Sequence, residues 1–299
     1  MAESASAVRV GTTELAPLAP PTSSTGLFEV FRRRYLLRLL VGREISARYQ
    51  GSVLGLLWSY VNPLTQFCIY YFVVGILFNL HSNVQNFAIH MFCGMVIVHF
   101  FNETFNAGTR SIVRNRSLVK KMAMPREMFP VASMLVSLYH VIPQMIILVV
   151  VCLLTGWLPG PGDPIAIILS VAIIMTLGTA MALLFSAANV FFRDVSNVAS
   201  IMTNFVRFGV PMIYPYSLVA ERFNGHTELY LADPLAEAVL LMQRAFWVGT
   251  TSDPSATIAQ HMPDHLYLRS IIALGISLVV LGIGQVVFSR LENRIPERL

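Results

Sequence analysis

The sequence predicts an α-helical membrane bundle, on three observations. Only 12% of its 299 residues are charged, against roughly 25% in soluble proteins. Apolar types make up 55% of the chain, with a mean hydropathy of +0.64. The charges are clustered, so that residues 49–102, 128–162, 164–192 and 270–289 contain no Asp, Glu, Lys or Arg. A bilayer-spanning helix needs about 20 such residues, whereas barrel strands would read as alternating segments of about 10.

Residues 1–26 are rich in Ala, Ser, Thr and Pro and lack the apolar core of a signal peptide, which predicts a disordered cytoplasmic tail. Over 27–47, Phe28, Phe31, Tyr35 and Leu39 recur at near-helical spacing among arginines. That pattern fits an amphipathic helix lying in the membrane interface, or a short helix packed on another cytoplasmic element. The run 49–102 is long enough for two spans, and 128–162, 164–192 and 270–289 for one each. A further span is expected over 195–215, where the apolar run is broken only by Arg207. Between spans two and three, residues 107–130 mix basic side chains with Ile112, Val113, Leu118, Val119, Met122 and Met124. So many apolar residues point to a short helix docking into a partner's groove; an anchor lying on lipid headgroups is the alternative.

Orientation follows from the basic residues, which favour the cytoplasmic side of span ends. Of 21 Lys and Arg, all but Arg207, Arg222, Arg244 and Arg269 fall before span one, between spans two and three, just after span four, or beyond residue 289. Both termini are therefore expected in the cytoplasm. The net charge of +5 reads as topology and attraction to anionic headgroups, not as a nucleic-acid surface.

The ionisable groups within spans are few. Glu103 lies about 10 Å along its helix from Arg110, and Arg207 roughly 18 Å from Val195. Arg207 has three readings: facing a polar channel, pairing with Glu103, or snorkelling. His90 and His99 do not have metal-ligand spacing, and Cys68, Cys93 and Cys152 lie in apolar runs without a CxxC pair, so no metal site or disulfide framework is expected. No GxSxG elbow occurs. The only lysines, Lys120 and Lys121, do not follow a glycine-rich turn, so no phosphate-binding loop is encoded. A membrane glycosyltransferase would require acidic or histidine side chains gathered at one face, and an ion-driven carrier would require acids at mid-depth. Neither pattern is present. Active transport by this chain would thus need a separate ATPase.

Five stretches carry a resemblance. They are RYQGSVLGLLW at 48–58, NRSLVKKMAMPREMFP at 115–130, FFRD at 191–194, PMIYP at 211–215 and DPLAEAV at 233–239. In this order and spacing they resemble the permease subunit of type-2 ABC exporters of lipid-linked polysaccharide, such as O-antigen, teichoic acid or mycobacterial galactan. Asp233 stands where such proteins usually have Asn.

The resemblance implies an all-α integral membrane protein with six transmembrane helices, an N-terminal interfacial helix and re-entrant helices between spans five and six. It places a permease domain at 48–289, a coupling segment at 110–126, an outer re-entrant segment at 216–267 and a cytoplasmic tail at 290–299. It further implies a homodimer in a bacterial plasma membrane, paired with two cytoplasmic ABC ATPase subunits that hold ATP and Mg, and no cofactor on this chain. Substrate would be taken in near Arg48, Tyr49, Ser52, Leu54 and Gly55. Asn115, Leu118, Lys120, Lys121, Met122, Met124, Pro125 and Arg126 would form the ATPase contact. Sugar rings pack their C–H faces on aromatic planes, so the expected channel residues are Trp58, Tyr60, Phe67, Tyr70, Tyr71, Phe205, Phe208, Tyr214 and Tyr216, with Arg207. Phe67, Tyr70 and Tyr71 share one helix face. A high Arg to Lys ratio and the Ala/Pro-rich tail favour galactan as the polymer; a drug or lipid permease would share the bundle but favour a less aromatic path.

Overall fold

The computed structural model describes residues 26–79, 84–122, 124–157, 159–223, 227–292 and 294–298. Of the tail expected over 1–26, residues 1–25 lie outside the described residues. Every regular element among the described residues is helical.

The N-terminal segment forms two helices, α1 (Leu27–Arg32) and α2 (Arg34–Tyr49), with a break at Arg33. Their apolar residues divide between two faces. Val30, Leu37 and Leu40 are buried in one cluster with Met124, Phe129, Phe288 and Ile295, at the end of the bundle that carries α5 and α14. Phe28, Phe31, Tyr35 and Leu39 stay exposed, leaving an aromatic face flanked by arginines. One side of the segment is thus packed on the bundle and the other is exposed. Gly51 and Gly55 adopt positive φ in the turn that follows, a conformation strained for any side chain, and the Ser52 hydroxyl accepts the Gly55 amide at 3.0 Å.

Five helical stretches are long and apolar enough to cross a membrane. The first is α3 (Trp58–Tyr70), which contains Pro63 and continues as a π-helix over Tyr71–Leu77. The others are α4 (Phe87–Arg114), α6 (Met128–Leu154), α7 (Asp163–Phe191) and α13 (Leu266–Glu292). The short helix α5 (Arg116–Lys121) joins α4 to α6, so the segment expected at 110–126 begins inside the last turn of α4. Between long helices in an apolar solvent, packing and polar contacts must supply association. Small residues permit it here: a Cβ on Gly108 would lie 2.3 Å from the Ala182 Cβ, and one on Gly178 would lie 3.0 Å from Thr104. α4 is consequently the most enclosed long helix, and α3 the least.

The run expected to span over 195–215 is helical only as α8 (Val195–Gly209), of 15 residues. At 1.5 Å per residue this is about 22 Å, short of a roughly 30 Å hydrocarbon core. The chain then becomes extended at Val210, because Pro211 and Pro215 lack amide donors and disfavour helix in the residue before them. Met212 crosses α4 at Gly94, where a Cβ would sit 2.8 Å from the Met212 Cα.

The segment 216–267 contains α9 (Tyr216–Arg222), α10 (Thr227–Leu231), α11 (Pro234–Phe246) and α12 (Pro254–His261). α11 is almost wholly buried against α4, α7 and α13. Asp233 caps it by accepting the Leu235 amide at 3.0 Å. The Ser170 hydroxyl donates to the Ala238 carbonyl within α11 at 2.7 Å, and Gln243 Nε2 donates to the Pro211 carbonyl at 2.7 Å, satisfying backbone that the end of α8 leaves open. Asp253 caps α12; bonds from Ser255 and the Ala256 amide hold its carboxyl below the usual range. The C-terminal stretch is packed rather than free: after α13 comes α14 (Ile295–Arg298), with Ile295 fully buried.

Candidate substrate path and coupling surface

α4 carries a polar stripe through the bundle. His99, Asn102, Glu103, Asn106, Arg110 and Arg114 recur at intervals of three or four and so lie on one face. From His99 to Arg114 the stripe rises about 22 Å.

Flanking helices complete it. On one side, Arg48 at the end of α2 pairs with Glu103, and His140 of α6 donates from Nδ1 to the same carboxylate oxygen at 2.7 Å. Gln144, one turn further along α6, donates to His99 Nδ1 at 3.2 Å. On the other side, Asn106 Nδ2 donates to the Thr203 hydroxyl at 3.2 Å, the Ser200 hydroxyl donates to Asn106 Oδ1 at 3.3 Å, and Arg110 donates to Ser200 at 3.2 Å. Burying these groups unpaired would cost several kcal/mol each, so α8 and α2 are held to α4 largely by polar contacts.

Three cavities follow the stripe. The first, about 310 Å³, is lined by Arg43, Glu44, Arg48, Arg114, Asn115 and Ser137. The second, about 230 Å³, is lined by Arg48, Tyr49, Ser52, Trp58, Glu103 and His140. The third, about 40 Å³, lies among Gln66, Tyr70, His99, Asn102, Arg207 and Met212. Arg48 borders the first two, and His99 the second and third.

The residues expected for substrate fall in several places. Arg48, Tyr49 and Ser52 line the second cavity with Trp58, while Leu54 is exposed on the turn and Gly55 half-buried beside it. Tyr60 is half-buried on α3. Tyr70 and Arg207 meet in the third cavity. Phe67 stacks on Tyr71 at 5.9 Å and meets Phe92 edge-on at 5.4 Å, so both rings pack within the chain's own bundle. Phe205 and Phe208 project outward from α8. Tyr216 is buried, and the half-buried Tyr214 donates to the Phe208 carbonyl at 2.9 Å. Arg207 is not paired with Glu103, whose partners are Arg48 and His140; the pairing reading is overturned by the position of α2. His140, Gln144, Glu44 and the neutral members of the stripe were not anticipated, although the spacing 99, 102, 103, 106 carries the signal. Among the described residues no three His, Cys, Asp or Glu gather as metal ligands would.

At the α4–α6 corner, Arg116, Lys120 and Lys121 of α5 and the Met122 that caps it are exposed, and Leu118 is half-buried. Asn115, Met124 and Pro125 are turned inward, and Arg126 donates to the Glu292 carbonyl. A basic rim around one exposed methionine thus remains free on the surface.

Residues 35–239 match the profile of the family described as ABC-2 type transporter. The chain belongs to that family. An O-antigen export system permease protein RfbA of Klebsiella pneumoniae is 26% identical over 268 residues, covering 88% of this chain and 95% of the relative. The protein of that name from Myxococcus xanthus is 26% identical over 231 residues, covering 77% and 87%. The ABC-2 match takes in α2 through the first turns of α11, and with them the polar stripe, all three cavities and the α5 corner.

Proposed function

We propose that this chain is the membrane subunit of an ATP-driven exporter that moves a polyprenyl-linked polysaccharide, galactan or an O-antigen-like polymer, outward across a bacterial plasma membrane. The observation that carries this reading is the likeness, over nearly its whole length, to permeases named for O-antigen export. The polar stripe with its cavities supports it, since a hydrophilic chain needs exchangeable polar contacts across hydrocarbon.

In this reading α8 is the fifth of six spans, α9 to α11 form the re-entrant segment, and both termini are cytoplasmic. Two copies associate through the exposed apolar faces of α3 and α8, which present Leu64, Ile69, Phe72, Ile201, Phe205 and Phe208. Two ATPase subunits, holding ATP and Mg, dock on α5 through Lys120, Lys121 and Met122. Arg48, Tyr49 and Ser52 receive the lipid-linked substrate, and Tyr70 and Arg207 meet it further along. No covalent chemistry is assigned to this chain.

Depleting the protein in its native cell tests the function. Finished lipid-linked polysaccharide should accumulate in the cytoplasmic leaflet, and its composition names the polymer. An unchanged polysaccharide distribution would overturn the reading in favour of a drug or lipid permease.

A further inference from the structure

α2 is fastened to the corner between α4 and α5 by side chains that also wall the first cavity. Asn115 stands at that corner with 5% of its surface exposed. Its Nδ2 donates to Glu44 Oε1 at 2.9 Å and to the Ser111 carbonyl at 3.0 Å, while its Oδ1 accepts from Arg43 at 3.2 Å. The other oxygen of Glu44 pairs with Arg114. The Glu44 side chain is only 13% exposed, so its charge is compensated by the corner more than by water. Four residues on, along the same face of α2, Arg48 makes the second attachment, to Glu103. The first cavity lies between these two ties. α2 therefore cannot tilt relative to α4 without breaking charged contacts.

We infer that Glu44 is a positioning residue that makes α2 and the α4–α5 corner move as one body. Motion imposed on α5 from the cytoplasm then reaches the first two cavities directly through α2. The inference rests on the reading that α5 docks on an ATPase, and goes beyond it by assigning the transmission to named side chains. Arg114 supplies the charge partner, Asn115 the shared hinge point and Arg43 the outer clasp.

The test uses the full complex with its ATPase in lipid nanodiscs and proteoliposomes. Spin labels at Leu39→Cys and Ser117→Cys, in a background carrying Cys68→Ala, Cys93→Ala and Cys152→Ala, report the distance between α2 and α5. In the otherwise native chain that distance should stay fixed when the complex is trapped with ATP and vanadate. In Glu44→Ala it should shift or broaden on trapping, while the ATPase still co-purifies and hydrolyses ATP, and export per ATP hydrolysed falls roughly tenfold, the scale of an ordinary coupling between sites. Glu44→Gln, which keeps the bond to Asn115 but loses the ion pair, should fall between. A native distance that changes on trapping overturns the inference without any variant having to fold, and so does a Glu44→Ala complex that exports as the native one does. If the ATPase fails to bind even the native chain, the functional reading fails, and the transmission role fails with it.

Discussion

The ion pair between Arg48 and Glu103 is lopsided: the arginine side chain is 48% exposed and the glutamate 9%. Removing one partner of a buried pair costs about 3–5 kcal/mol when the other is left in a low-dielectric site, and far less when the survivor can reach water. Arg48→Ala leaves the Glu103 carboxylate with His140 alone. Glu103→Gln instead leaves an arginine that can turn to solvent. Arg48→Ala should therefore lower the thermal midpoint of the purified protein more than Glu103→Gln does; the reverse order would mean that His140 supplies most of the compensation. Both partners were visible in the sequence, Arg48 in a recognisable stretch and Glu103 as the charge closing an uncharged run. His140 was not, because a neutral-looking imidazole inside 128–162 does not interrupt that run. Its role appears only when α6 packs beside α4.

Among elements, α5 divides a pair of methionines that sequence alone treats alike. Met122 is 45% exposed and Met124 6%, the latter packed with Val30, Val119 and Phe288. Met122→Asp should weaken ATPase pull-down with little change in stability. Met124→Asp should destabilise the cluster it shares with Val30 and Phe288, by about 2–5 kcal/mol on the scale of other core disruptions. If both variants lose ATPase binding at unchanged thermal midpoint, the inward packing of Met124 has no energetic weight. The sequence exposed the long spans because charge is excluded from them over tens of residues. It was less informative for α8, where Gly209, Pro211 and Pro215 end the helix but the apolar run continues to Pro215. Hydropathy registers solvent preference, whereas helix termination is a matter of backbone donors and dihedral angles. The aromatic face of α3 was likewise legible as a face, but which neighbour it meets is decided by tertiary packing against Phe92.

For the whole molecule, the distribution of basic residues and the direction of the helices make a joint demand. α5 and α14 should lie on one side of the membrane and α12 on the other. Membrane-impermeant thiol reagents applied to intact cells should label Ala256→Cys, on exposed α12, and should reach Arg298→Cys only after permeabilisation. Labelling of both from outside would overturn the assigned topology. The helical class and the five long spans were readable from charge placement, because transfer free energies act on whole segments. The polar stripe was readable only in part: Arg48, Glu103, Arg110 and Arg114 stand out as charges, whereas the Asn, Gln, Ser and Thr contacts that complete it join helices distant in sequence.

The short reach of α8 has a consequence for the solvent around it. About 22 Å of helix beside roughly 30 Å of hydrocarbon leaves a step of about 8 Å. With α8 as the proposed fifth span, lipid at the edge of the α3–α8 contact between copies must thin or give way to water to match it, at fractions of a kcal/mol per ångström. A hydrophilic chain passing along α8 would face a shorter dielectric barrier than one crossing undisturbed bilayer, before any part of the protein has moved.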